Sequence, residues 1–343
     1  KKIYRQKKGK DGLGRFVIDK NFHKNTFFIV DEASMIGDRS PDNNMFGSGN
    51  LLEDLRSYVF SGNSCFLIII GDTAQLPPVG LDLSPALKTE LLEGFGYGVE
   101  ELFLQDVVRQ SLESGILYNA TLIRKKIEEG SNELPAFELD RFEDIQRIDG
   151  TVLIEELENA YSKYGEKETI VVSRSNKRAN KFNQGIRNSI LWREEEISMG
   201  DLLMIVKNNY FWNSPEDKLD FIANGDIAEL KRINGFRDEY GRRFADVSLS
   251  FPDYNNLELD AKILLDTLSI ETASMSVDDQ RELFQKVMED YQDEPTRKKQ
   301  TEKVIGDAFF NALQVKFSYA VTCHKAQGGQ WKAVFIDPGY IRE

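Results

Sequence analysis

Ile29-Val30-Asp31-Glu32-Ala33-Ser34 and Ile68-Ile69-Ile70-Gly71-Asp72-Thr73-Ala74-Gln75-Leu76-Pro77-Pro78 decide the reading of this chain. Each is an apolar run that stops abruptly at acidic and polar residues. The runs at 27–30 and 65–70 are continuous, as expected of parallel strands covered on both faces. In an open α/β sheet, ligands sit beyond the carboxyl ends of the strands, so both polar tips are predicted to face one crevice. Two adjacent carboxylates there suit a magnesium-bound phosphate. Asp31 would hold Mg2+ through water, and Glu32 would orient and deprotonate the attacking water. The competing reading is a helix N-terminus, where acidic side chains offset the dipole; the strand immediately before the pair favours metal and water chemistry. Gly71 releases the chain from its strand, and Gln75 offers a donor and an acceptor to a γ-phosphate or its water. Pro77-Pro78 stiffens the exit and leaves an apolar edge for a base. An ordinary turn does not call for Asp, Gln and two prolines together. The strings point to nucleoside triphosphate hydrolysis, with Mg2+ as a cofactor.

Composition sets the frame. The 343 residues suffice for roughly two domains, and 41% hydrophobic with 29% charged residues is ordinary for a globular protein. No apolar run approaches a membrane span, and the lysine-rich start has no signal-peptide core behind it. Cys65 and Cys323 lie in unrelated segments, so a reducing, cytoplasmic setting fits and a membrane partner does not. The net charge of −13 disfavours nucleic acid overall. Binding depends on local basic stripes, however, and two occur: residues 1–10, and Arg174, Lys177, Arg178, Lys181 and Arg187. A solvated face is the competing reading of either stripe.

Periodicity orders the rest. Residues 7–21 read as a hairpin turning at Asp11-Gly12, 50–60 and 114–129 as helices, and 102–104 as a short strand. An acidic, irregular stretch at 130–150 suggests a domain boundary. A second α/β unit follows, with helix 151–164, strand 169–172 and helix 175–188. Short β runs at 202–206, 227–233, 245–251 and 257–265 suggest a small antiparallel barrel. A charged helix at 277–293 precedes strands at 315–321 and 333–337. His23 and His324 are the only histidines, and no Cys/His pair has ligand spacing, so a zinc site is not expected. Cys323 has no base–orienter pair beside it and is not read as a nucleophile.

Together the two opening strings resemble motifs II and III of superfamily 1 helicases, in the B class of RecD-like, Dda-like and Pif-like enzymes. Val107-Val108-Arg109-Gln110 resembles motif IV, whose arginine reaches the γ-phosphate. Val171-Val172-Ser173-Arg174-Ser175-Asn176, with Asn183 and Arg187, resembles the segment that opens the second motor domain and touches the DNA backbone. Phe317-Ser318-Tyr319-Ala320-Val321-Thr322-Cys323-His324-Lys325-Ala326-Gln327-Gly328 resembles motif V, and Asn224-Gly225-Asp226-Ile227 the opening of an SH3-like insert. The resemblance implies an α/β fold of two RecA-like motor domains, the first partial (1–130, with a pin hairpin at 7–21) and the second at 131–196 and 301–343. An SH3-like insert with a charged helix would fill 197–300. It implies Glu32, Asp31, Gln75 and Arg109 as catalytic residues, with Gln327 and Gly328 also at the nucleotide. It places Pro77, Ser173, Arg174, Thr322, His324 and Lys325 on single-stranded or forked duplex DNA, with Phe16 of the pin against a base. The implied nucleotide cofactor is ATP, and the implied activity is ATP-driven 5′→3′ movement on DNA, alone or as the motor of a helicase–nuclease or repair complex.

Two expected parts do not occur. No G-x-x-x-x-G-K-[ST] phosphate loop is present, and Gly9-Lys10-Asp11-Gly12 is only an echo of one. Motif VI does not appear either. The chain therefore reads as an internal fragment of a longer helicase, with little ATPase activity by itself. A non-catalytic nucleic-acid-binding module is the competing expectation.

Overall fold

The computed structural model describes residues 3–7, 15–38, 47–104, 114–212 and 219–339. The chain divides into two compact units, residues 1–9 with 13–149, and residues 10–12 with 150–343.

In the first unit, β1 (Tyr4–Lys7) and β2 (Arg15–Ile18) pair as an antiparallel hairpin. The hairpin therefore starts earlier than the expected 7–21, because Tyr4 pairs with Ile18; the expected Asp11-Gly12 turn lies outside the described residues. Tyr4 Oη donates to Asp54 across 2.9 Å, and burial together with that carboxylate pushes the phenol pKa up. β3 (Phe27–Val30) runs parallel to β4 (Phe66–Ile69), with Ile29 beside Ile68. Between them α1 (Leu51–Phe60) begins at Asn50, whose side chain accepts from Glu53 N at 2.9 Å. Leu52, Leu55, Tyr58 and Val59 of α1 are buried, and Phe28, Val30, Leu67 and Ile69 pack on that cluster.

The opposite face of the two strands is exposed, with Phe27 63% and Ile29 65% accessible. This corrects the expectation of burial on both faces. Side chains alternate across a strand, and α1 covers one side only. The strand expected at 102–104 is also absent: Leu102, Phe103 and Leu104 are exposed and join no ladder. α2 (Thr89–Gly94) and α3 (Gly115–Glu128) complete the unit. The helical spacing of 114–129 is correct, but Ile116 and Ile127 are exposed.

The second unit opens with α4 (Leu153–Tyr164), β5 (Thr169–Ser173) and α5 (Asn176–Ser189). Next come β6 (Leu202–Ile205), β7 (Ile227–Glu239), β8 (Arg242–Phe251) and β9 (Leu257–Leu264). Helices α6 (Val277–Glu289) and α7 (Arg297–Ile305) lead to β10 (Leu313–Phe317), β11 (Ala320–Thr322), α8 (Cys323–Ala326) and β12 (Ala333–Asp337). β10, β6, β7, β8 and β9 close a five-stranded barrel.

The barrel differs from the expected one in two respects. It takes in residues 313–317, which were expected in the second motor domain, and its closing pair, β10 with β9, is parallel. The excursion through α6 and α7 supplies the long crossover that a parallel pair requires. The apolar run expected as one strand at 315–321 is therefore two, broken at Ser318-Tyr319. After the break, β11 joins a parallel sheet of order β11-β5-β12. The unit is thus a mixed α/β body carrying a closed barrel.

Candidate functional site

The first unit brings its two diagnostic strings together. β3 ends in Asp31 and Glu32, both exposed, and Glu32 takes a left-handed conformation with φ of 53°. That conformation is unusual for a residue with a side chain. It turns the chain into the 3-10 turn Ala33–Met35, and Asp31 Oδ1 accepts from Glu32 N at 2.9 Å. Ser34, buried at the turn, donates to Gln75 Oε1 across 3.1 Å. The strand tips are also joined through Ala33 N to Ile70 O at 3.0 Å. Gly71 is required there, because a Cβ would lie 2.9 Å from Leu87 and 3.1 Å from Ser34 N. Ser84 is buried beneath the turn, with its hydroxyl 2.7 Å from the Ala33 carbonyl and 2.8 Å from that of Ile36.

Asp72 orders the second tip. Its Oδ1 accepts from Ala74 N at 2.9 Å, and Arg124 of α3 donates to both carboxylate oxygens at 2.9 and 2.6 Å. The guanidinium holds the Asp72 carboxyl below the usual range. Sequence reasoning passed over Ser34, Asp72 and Arg124 as working residues. Arg124 lies on a helix far along the chain, and no local pattern marks it as the partner of Asp72. Pro77 is half-buried just after Gln75. Phe16 is also half-buried, and its carbonyl accepts from Gly47 N. Arg109 lies outside the described residues.

Magnesium fits this edge. The ion keeps several waters and takes one or two carboxylates together with phosphate oxygens. Asp31 and Glu32 are accessible carboxylates of that kind, and among the described residues no cluster of three or more His, Cys, Asp or Glu offers a full protein cage.

In the second unit, the register sets Thr322, Ser173 and Asp337 side by side at the carboxyl edge of three parallel strands. Helix α5 starts at the same edge, with Ser175 Oγ accepting from Arg178 N at 3.3 Å. Ser173, expected on a DNA phosphate, is wholly buried. Its hydroxyl donates to the Ser175 carbonyl, and its own carbonyl accepts from Cys323 Sγ at 3.3 Å. Arg174, the next residue, is exposed. Thr322 is half-buried, His324 is exposed and Lys325 is half-buried. Lys325 Nζ donates to Asn224 Oδ1, and burial lowers its pKa. Gln327 ends α8, and Gly328 follows with φ of +80°, a conformation glycine adopts without strain.

Two residues of the same expected segment face inward. Asn183 donates to the carbonyls of Phe317 and Ala320 and accepts from Ala320 N at 2.8 Å, clamping the break between β10 and β11. Arg187 is buried, donates to Asp201 at 3.1 and 3.0 Å, and lies over the Phe317 ring. Asn183 is thus engaged in holding the turn that starts β11, and Arg187 in pairing with Asp201 and the Glu195 carbonyl. The basic stripe of α5 is likewise broken up: Lys177 pairs with Glu271 and Arg178 with Asp337. Of the stripe, Arg174, Lys177 and Lys181 are exposed.

Comparison with known proteins yields three results. No curated protein matches the chain. A solved structure concerning DNA unwinding at forked double-stranded DNA by two coordinating Pif1 helicases is similar at 12% identity with a TM-score of 0.36. The match covers 90% of this chain and 62% of that one, so the chain spans less than two thirds of that helicase chain. Residues 317–343, which include β11, α8 and β12, match the family model of the UvrD-like helicase C-terminal domain.

Proposed function

We propose that the protein is an ATP-dependent DNA helicase or translocase of the superfamily 1B kind, moving 5′→3′ on single-stranded DNA. One observation carries the reading. The residues that match a helicase C-terminal domain are those whose strands end together at Thr322 and Asp337, beside the start of α5. Exposed Arg174 and His324, with half-buried Thr322 and Lys325, would meet sugar-phosphate groups at that edge without reading sequence. A helix start there favours an anion as well.

Bound ATP would supply the transferable phosphoryl group, and bound magnesium would neutralise charge on its phosphates. Asp31 would hold the hydrated metal, Glu32 would accept a proton from water, and Gln75, steadied by Ser34, would orient that water or a phosphate oxygen. Arg109 and the Gln327-Gly328 turn belong to the same proposal, as do two RecA-like motor domains. Because its sequence contains no phosphate loop, the 343-residue chain alone is expected to turn over little ATP.

The test is titration of a fluorescent oligo-dT with the purified chain over a range of salt. Arg174→Ala and Lys325→Ala are each expected to weaken binding and to reduce the salt slope by about one. Binding and slope unchanged in both variants would overturn the DNA assignment. Where DNA stimulates ATP hydrolysis, Glu32→Gln is expected to lower it by about 10²-fold or more.

A further inference from the structure

A short ribbon between β6 and β7 of the second unit carries a partly exposed aromatic pair. Asn209 and Ile222 form an antiparallel bridge, with backbone bonds of 2.9 Å in both directions. The same register sets Tyr210 opposite Phe221, and their rings stack at 5.1 Å between centroids and 23° between planes. The inward side of the ribbon is fixed. Ile222 is fully buried, and Asn209 accepts from Phe211 N and Trp212 N while donating to the Asn311 carbonyl at 2.8 Å. Trp212 Nε1 donates to that same carbonyl. Tyr210, on the other face, is 37% exposed.

Residues two apart share a face of a ribbon, so Asn208 lies on the Tyr210 side. Asn208 Oδ1 accepts from Asn224 N at 2.7 Å, and Asn224 Oδ1 in turn accepts from Lys325. A continuous strip therefore runs from the cation of α8 through two exposed asparagines to the stacked rings. An aromatic pair contributes to a ribbon whether or not it binds anything. Here it is partly exposed on a clamped support, and the two asparagines link its ribbon to Lys325, a cation suited to a sugar-phosphate chain.

We infer that Tyr210 and Phe221 form a stacking platform for a base of a single-stranded nucleic acid whose backbone passes Lys325. The inference rests on the DNA reading proposed above and extends it onto the barrel. Rings of this kind accept any base, because every base has a π face.

The experiment compares oligo-dT with an oligonucleotide carrying abasic spacers, using the whole chain and its Tyr210→Ala, Tyr210→Phe, Phe221→Ala and Lys325→Ala variants. Thermal melts by circular dichroism check that each variant folds. Tyr210→Ala is expected to weaken oligo-dT binding about 5- to 100-fold, Tyr210→Phe to leave it within about twofold, and the abasic ligand to erase the difference. A loss that persists on the abasic ligand overturns the platform, because the ring then acts only through the fold. If Lys325→Ala weakens binding while Tyr210→Ala and Phe221→Ala do not, the platform is overturned and the DNA reading stands. No binding by the unaltered chain overturns both.

Discussion

Ser34 Oγ donates to Gln75 Oε1 across 3.1 Å, tying the turn after β3 to the turn after β4. The two residues are far apart in sequence, and the bond presents one tip to the other at a common edge. Ser34 is buried, so its hydroxyl is a part of the edge's interior rather than of its solvent face.

Ser34→Ala is expected to destabilise the first unit by about 0.5–1.5 kcal/mol, the net value of one intramolecular hydrogen bond. Urea denaturation followed by tyrosine fluorescence measures it. Oligo-dT affinity, which depends on the second unit in the proposed reading, is expected to stay unchanged; a large loss there would separate Ser34 from this structural role.

The Asp72–Arg124 pair makes a pH prediction. Arg124 depresses the folded-state pKa of Asp72, so the pair's contribution is present above the unfolded value of about 3.9 and is lost as pH falls through the folded value. Both side chains are partly exposed, which limits the pair to about 0.2–1 kcal/mol. Arg124→Gln is expected to lower stability by that amount at pH 6 and by less near pH 3. An equal loss at both values would contradict the assigned cause.

Arg187 and Asp201 are both buried, and Tyr319 Oη donates to Asp201 Oδ1 at 3.1 Å. Removing one partner strands the other charge, at a cost of about 3–5 kcal/mol. Arg187→Ala is therefore expected to be among the most destabilising changes in the second unit. Arg187→Lys is expected to recover only part, because an ammonium cannot reproduce the two-pronged contact. Melting temperatures of the two variants decide the point.

Lys316 of β10 is buried, and burial lowers its pKa to about 8. The unfolded chain holds this proton more tightly, with a pKa near about 10.4, so stability rises with pH between those values. Below about 8 the full penalty applies. Lys316→Met is expected to raise stability at pH 7 on the order of 1–3 kcal/mol, and the gain is expected to shrink by pH 10. A constant difference across that range in urea denaturation would count against it.

The sequence by itself determined the strands at Phe27–Val30, Phe66–Ile69 and Thr169–Ser173, the helices after Asn50, Ser114 and Ser175, and most barrel strands. These follow from apolar periodicity and capping residues, which act over a few neighbours. It also marked Asp31, Glu32 and Gln75, because polar residues directly after an apolar strand are a local signal. Tertiary structure alone decided what each side chain meets. Ser173 and Arg187 carry polar groups that suit DNA, yet the fold buries them under β11 and around Asp201. Lys325 finds Asn224 and Asp72 finds Arg124 across long loops. The same holds for coverage: the runs at 27–30 and 66–69 are continuously apolar, but a helix packs on one side only. Hydrogen bonds, ion pairs and burial depend on which distant segments converge, and that information is spread over the whole chain.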